Sequence, residues 1–212
     1  MKILRIDCSP RAESQSRKLS AAIVGRLLAM EPDAHVTHRD LGRNPIAHPE
    51  AHYAWALSSP ATLAAGEANG AMRLSEALIQ EVEAADVLVI GTPMNNFTVP
   101  SVFKAWIDQI LRVGRTIGMS ATGEKIGLLQ DKPVYIGIAS GGSFTGHRAN
   151  QPDFLTPYLI AALGCVGLKS LQFFPLQGTA FLGDEQLAAD RDAVLATMDV
   201  SKIGLEISAE AS

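Results

Sequence analysis

The chain has 212 residues and a mass of 22.5 kDa, enough for one well-buried domain and short for two of ordinary size. Hydrophobic residues make up 47% and charged residues 19% of it, which excludes a disordered or collagen-like chain. A formal net charge of -4 without a cluster of Lys and Arg argues against nucleic acid as the main partner.

The opening MKILRIDC is a short apolar run broken by Arg5 and Asp7, with no small-residue cleavage site behind it, so it does not read as a signal peptide. No run of about 18 apolar residues follows that would cross a membrane. A cytoplasmic protein is expected. Cys8 and Cys165 lack C-x-x-C spacing, and each is expected to be a buried, reduced thiol.

Ile3, Leu4 and Ile6 predict a first strand, ended by the turn-forming Ser9-Pro10 pair. From Ser16, the apolar residues Leu19, Ile23, Val24, Leu27 and Leu28 recur at helical spacing. His35 to Leu41 is a weaker strand. Residues 42–70, rich in Gly, Pro and Ala, read as a long, partly helical excursion. Met72 to Ala84 predicts a helix with Leu78, Ile79 and Val82 on one face. Val87 to Gly91 is a continuous β-branched and aliphatic run of the kind buried on both faces of a parallel sheet. After a loop at 92–100, Val102, Phe103, Trp106, Ile107, Ile110 and Leu111 form a helical stripe, read as core rather than as a cofactor box. Val134 to Ala139 is a strand ending before Gly141-Gly142. A helix from Asp153 to Leu163, a strand near 166–173 and a helix from Asp184 to Met198 complete the order.

This alternation is the signature of a doubly wound α/β fold. Five strands suggest the flavodoxin-like version, a parallel sheet in the order 2-1-3-4-5 with helices on both faces. The chain is read as one domain, 1–212, carrying the excursion at about 42–70.

Ligands of such sheets bind outside the carboxyl ends of the strands. Three loops leave those ends. The first offers the hydroxyls of Ser9, Ser14 and Ser16 where a helix begins, and its free N–H groups would favour an anion, most simply a phosphate. The alternative is that Ser14 or Ser16 merely caps the helix. Neither G-x-G-x-x-G nor G-x-x-x-x-G-K-[ST] is present, so the loop announces neither a dinucleotide nor a triphosphate. The second loop, TPMNNFTVP, sets Met94, Asn95, Asn96 and Phe97 between two prolines, amides beside apolar faces, as a flat heteroaromatic ring with polar edges requires. The third, ASGGSFTG, has Gly141 and Gly142, which let backbone approach a ligand or simply make a turn.

The stretch PMNNFTVPSVFKAWID, from Pro93 to Asp108 and on to Arg112-Val113-Gly114-Arg115-Thr116, resembles the central signature of the FMN-dependent, NADH-dependent azoreductases and quinone reductases. Ser9 with Ser14-Gln15-Ser16 is similar to that family's phosphate loop, and Asp153 to Leu159 to its later helix. The similarity is collinear over most of the chain.

The resemblance implies a homodimer with one FMN per subunit near the interface, to which part of the stripe with Phe103 and Trp106 would contribute. It implies that Ser9, Ser14, Gln15 and Ser16 hold the FMN phosphate. Met94, Asn95, Asn96 and Phe97 then line the isoalloxazine, and Ala139, Ser140, Gly141 and Gly142 meet its pyrimidine edge. Two departures stand out: Asn95 replaces a usual aromatic residue, and Ala139-Ser140 replaces a common Ser-Arg. The implied reaction passes a hydride from NADH or NADPH to the flavin and then two electrons to a quinone or azo compound, in ping-pong fashion. Asn96, together with backbone amides of 95–97 and 141–142, is the candidate for tuning the flavin.

Tyr53, Trp55, Phe144 and Phe154 are candidate aromatic walls for the substrate, each with ordinary packing as the alternative. His147 could protonate a product or be an ordinary loop histidine. His48 and His52 are four apart, but no further histidine accompanies them and no metal is expected. Two other functions compete: a flavodoxin-type electron carrier or redox-responsive flavin protein without pyridine-nucleotide turnover, and a phosphate-ligand enzyme unrelated to flavin. The modest charge offers an electron carrier little to dock with.

Overall fold

The computed structural model describes residues 1–59, 61–62 and 70–203. Five strands, β1 (Lys2–Asp7), β2 (His35–Asp40), β3 (Val87–Pro93), β6 (Val134–Ala139) and β7 (Leu171–Leu176), form one sheet in the order β2-β1-β3-β6-β7. Every neighbouring pair is parallel. Counted within that sheet, this is the expected 2-1-3-4-5 order. The period of two along each strand divides the core into two layers. Leu4, Ile6, Leu88, Ile90, Ile136 and Ile138 face α3 (Arg73–Ala84), α4 (Ser101–Ile110) and α5 (Leu155–Val166). Ile3, Val87, Val89 and Tyr135 face α1 (Gln15–Met30) and α6 (Asp184–Leu195). A short helix, α2 (Ala51–Ala56), lies in the excursion.

Several expectations change. The last strand is Leu171–Leu176 rather than 166–173, because α5 runs to Val166 and ends at Gly167 in the left-handed region, φ 110°. A Cβ there would sit 2.4 Å from the Leu129 carbonyl oxygen, so the chain can turn at that point only with glycine. An antiparallel pair, β4 (Ile117–Met119) with β5 (Lys125–Gly127), was not foreseen. Three-residue strands are too short to show a period. Within the stripe, Phe103, Trp106, Ile107 and Ile110 are fully buried in the core of the subunit, whereas Val102 and Leu111 are only partly buried. Cys8 is buried and Cys165 only partly so, and both are free thiols. Of the excursion, 60 and 63–69 lie outside the described residues.

Two glycines let α1 lie close on the sheet. A Cβ on Gly91 would meet the Ser16 carbonyl oxygen at 2.6 Å and Asp7 Oδ1 at 2.8 Å, and one on Gly137 would meet Leu19 Cγ at 2.7 Å. Gly25, exposed on the outer face of α1, meets nothing within 4 Å. Gly91→Ala is therefore expected to lower unfolding stability by about 1–3 kcal/mol through overpacking. Gly25→Ala should raise it by about 0.5–1 kcal/mol through helix propensity and chain entropy. Urea unfolding of the two variants measures both; equal effects would contradict the close approach of α1.

Candidate functional site

The loops leaving β1, β3 and β6 meet at the carboxyl edge of the sheet. In the first, Ser9, Ser14 and Ser16 are buried, at 4%, 4% and 0% exposure. Ser14 is the N-cap residue of α1, yet its hydroxyl makes no capping bond and instead lies 2.9 Å from the Ser16 hydroxyl. Capping thus does not explain these serines. The first turn of α1 keeps its free N–H groups for another acceptor, beside two hydroxyls. Gln15 Oε1 is buried there with no partner, an acceptor for a hydroxyl-bearing ligand. Buried hydroxyls, an uncapped helix start and an orphaned acceptor fit a phosphate monoester attached to a polyol chain, as in FMN.

A residue that sequence reasoning missed holds this loop. Arg17, 7% exposed, donates from Nε to the Ser9 carbonyl oxygen at 2.8 Å and grips Asp40 with both terminal nitrogens. Asp7 is fully buried, accepts from Ser20 Oγ at 2.6 Å, and has Arg5 at 2.9 Å, His38 at 2.8 Å and Arg17 at 3.6 Å. Burial pushes against the charge on Asp40, but the Arg17 fork and the Arg43 amide prevail and hold its carboxyl below the usual range. Burial drives the Cys8 thiol well up, with Asp7 adding to the effect, so it is an inert core group and no nucleophile.

The second loop is a tight reversal. Asn95 and Thr98 exchange both N–H···O bonds, at 2.9 and 3.0 Å. Between them Asn96 and Phe97 adopt φ of 47° and 72°, the pattern of a type I′ turn. Asparagine tolerates this region, whereas phenylalanine does not do so readily. The turn's own hydrogen bonds use the amides of Asn95 and Thr98 and leave those of Asn96 and Phe97 outside. Phe97, 43% exposed, lays its ring on the surface beside them.

The third loop is tied to the second. The Met94 amide donates to the Ala139 carbonyl at 2.9 Å. Gln151, also missed from sequence, donates from Nε2 to Ser140 Oγ at 2.8 Å and lies 3.3 Å from Met94 Sδ. A Cβ on Gly142 would meet Gln151 Oε1 at 2.8 Å, so this glycine makes room for that side chain. Gly141 meets only the Ala180 Cβ, at 3.4 Å. Phe154, 60% exposed, is joined to the turn through its amide, 3.1 Å from the Phe97 carbonyl. Asp153 accepts from the Leu155 and Thr156 amides and starts α5.

The four aromatic candidates divide. Tyr53 is 5% exposed and packs against Ala56 and Met72, and Phe144, at 6%, belongs to the core; neither presents a face to a substrate. Phe154 stands beside the turn, and Trp55, 51% exposed, projects from α2.

Residues 1–200 match the family described as having a flavodoxin-like fold. The chain belongs to that family. This flavodoxin-like chain is 43% identical over 206 residues to FMN-dependent NADH:quinone oxidoreductase 4 of Pseudomonas fluorescens, covering 97% of the chain and 94% of the relative. It is 42% identical over 173 residues to the FMN-dependent NADH:quinone oxidoreductase of Nostoc punctiforme, covering 81% and 84%. These relatives bear out the kinship read from the central motif. A crystal structure of an azoreductase from Bacillus anthracis superposes with a TM-score of 0.78 at 22% identity, covering 92% of this chain and 97% of the other. A second, an FMN-dependent NADH-azoreductase from Bacillus anthracis in complex with FMN, gives 0.75 at 23% identity, covering 92% and 96%. At that identity the likeness is one of fold.

Ser16→Ala removes a buried hydroxyl beside the uncapped start of α1, where the resemblance places the FMN phosphate. A hydrogen bond to a charged group contributes about 1.5–3 kcal/mol, so FMN affinity should fall by about tenfold or more. Titration followed by flavin fluorescence measures it. Wild-type affinity in the variant would remove Ser16 from the phosphate site.

Proposed function

We propose that this chain is an FMN-dependent oxidoreductase that takes a hydride from NADH and delivers two electrons to quinones and azo compounds. The observation that supports it most is the turn at Asn95–Thr98, whose two left-handed residues free a pair of amides beside an exposed phenyl ring, next to a phosphate-type loop. When bound, FMN supplies a reversible two-electron centre at its ring system.

The residues of the chain position and tune it. Ser9, Ser14, Ser16 and the first amides of α1 hold the phosphate, and Gln15 Oε1 accepts from the polyol. Met94 to Phe97 would carry the ring, with the amides of Asn96 and Phe97, unused by the turn, as donors to it. Ala139 to Gly142 would meet the pyrimidine side; the Ser140 amide is taken by the Leu176 carbonyl, so the Gly141 and Gly142 amides are the donors that would favour electron density accumulating on the ring. Ser140 is itself fixed by Gln151. With Asn95 in place of an aromatic residue, the ring face is more open and more polar, which suits small polar quinones.

For a quinone the balance is NADH plus one proton and quinone giving NAD⁺ and hydroquinone; azo cleavage to two amines consumes two NADH and two protons. Donor and acceptor use one ring face in turn.

The chain works as one domain, in the cytoplasm where NADH and reduced thiols prevail, and as a homodimer. Exposed apolar residues Val113, Met119, Ile126, Leu128, Phe154 and Ile160, at 43–61% exposure, support pairing. Initial rates of the FMN-loaded protein with NADH at several concentrations of a benzoquinone should give parallel double-reciprocal lines, and sedimentation should give twice the chain mass. Intersecting lines would contradict alternating use of one face, and a monomer would contradict the pairing.

A further inference from the structure

A cavity of about 570 Å³ opens between the loop 143–148 and the segment joining β7 to α6, lined among others by Arg148, Gln177, Phe181, Gln186 and Asp190. That volume lies within the range of about 300–1,000 Å³ of small-molecule sites. Its walls continue the third loop of the site. The Gly178 amide donates to the Gly142 carbonyl at 3.2 Å and the Thr179 amide to the Ser140 carbonyl at 3.0 Å. Gln177 Oε1 accepts from the amides of Phe144 and Thr145, at 2.7 and 2.9 Å, and so fixes one wall to the other. The cavity begins where the proposed ring site ends.

Its chemistry is mixed. Arg148 is exposed and, like Arg11, Arg26 and Arg191, has no carboxylate partner among the described residues, but it alone of these lines the cavity. Phe181 is 82% exposed, a ring that serves no packing purpose, with Leu182 beside it. Asp190 supplies one carboxylate, which balances Arg148 and so disfavours a free polyanion. A cation, an unstacked aromatic ring and a carboxylate together match a diphosphate, a purine and a ribose diol.

We propose that this cavity holds the adenosine diphosphate half of the pyridine nucleotide, with Arg148 on the diphosphate, Phe181 against the adenine and Asp190 on a ribose hydroxyl. The inference rests on the proposed oxidoreductase function and adds to it a second contact region that the donor uses and the acceptor does not. A quinone has neither diphosphate nor adenosine. A carboxylate at the ribose also repels an added 2′-phosphate, which favours NADH over NADPH.

The test uses the FMN-loaded protein and its Arg148→Ala, Arg148→Lys, Phe181→Ala and Asp190→Asn variants, all altered at the cavity lining. Three quantities are measured: KM for NADH, KM for 1-benzyl-1,4-dihydronicotinamide, which donates a hydride but lacks the adenosine diphosphate half, and calorimetric binding of ADP-ribose, which cannot react. Arg148→Ala should raise both KM for NADH and Kd for ADP-ribose by about tenfold, the loss of one charged hydrogen bond. Phe181→Ala should raise them several-fold, Arg148→Lys should recover part of the loss, and Asp190→Asn should bring KM for NADPH toward that for NADH. KM for the truncated donor should not move. The inference is overturned if wild-type protein does not bind ADP-ribose, if Arg148→Ala and Phe181→Ala keep the wild-type KM for NADH, or if the truncated donor is affected as strongly as NADH. Failure of the wild type to oxidise either donor would instead contradict the proposed function, and ADP-ribose binding would still decide the cavity.

Discussion

The site depends on one guanidinium. Arg17 stands in the first turn of α1, where a cation opposes the helix dipole and would ordinarily be unfavourable. Asp7 and Asp40 more than offset this, and the pairing joins the ends of β1 and β2 to the loop between them through the Ser9 carbonyl. The anchoring is inward, from below the loop. The serine hydroxyls and helix amides above it remain for a ligand. Removing one member of a buried charge pair costs about 3–5 kcal/mol, so the loop has little freedom to relax while the network stands. Gly91 completes the constraint by letting the start of α1 come down onto β3.

The second loop shows the same economy in another form. Left-handed backbone at a residue other than glycine costs about 1–3 kcal/mol, and Asn96 and Phe97 both adopt it. The surroundings fix the turn from three sides: the Asn95–Thr98 pair closes it, Met94 is bonded to Ala139, and Phe97 accepts from Phe154. Strain held in this way keeps two amides and one aromatic ring in place before any ligand arrives. That is preorganisation, and it is where a bound ring gains most from a rigid protein.

Much of this could be read from sequence, and the reasons it could or could not are physical. β3 was legible because a strand buried on both faces is a continuous aliphatic run, and α4 because Phe103, Trp106, Ile107 and Ile110 repeat at helical spacing. The serine loop and the TPMNNFTVP loop were legible because their residue types are unusual for plain connections. Arg17 and Gln151 were not, since an arginine or glutamine that fixes a loop looks like a surface one until its partners are placed. The end of α5 shifted the last strand because Leu163 to Leu168 is apolar throughout, and only the left-handed Gly167 marks the stop. Tyr53 and Phe144 illustrate the general ambiguity of aromatics: composition gives the ring, and only packing says which way it faces.

The central claim is that these three loops bind FMN in a form that NADH can reduce. It is tested most directly by the anaerobic visible absorbance of the purified, FMN-supplemented protein before and after NADH is added, followed by a quinone. The account predicts that the band of oxidised flavin bleaches within seconds and returns with the quinone. Flavin that binds but stays oxidised with NADH would contradict the oxidoreductase reading in favour of a carrier, and failure to retain FMN at all would contradict the site itself.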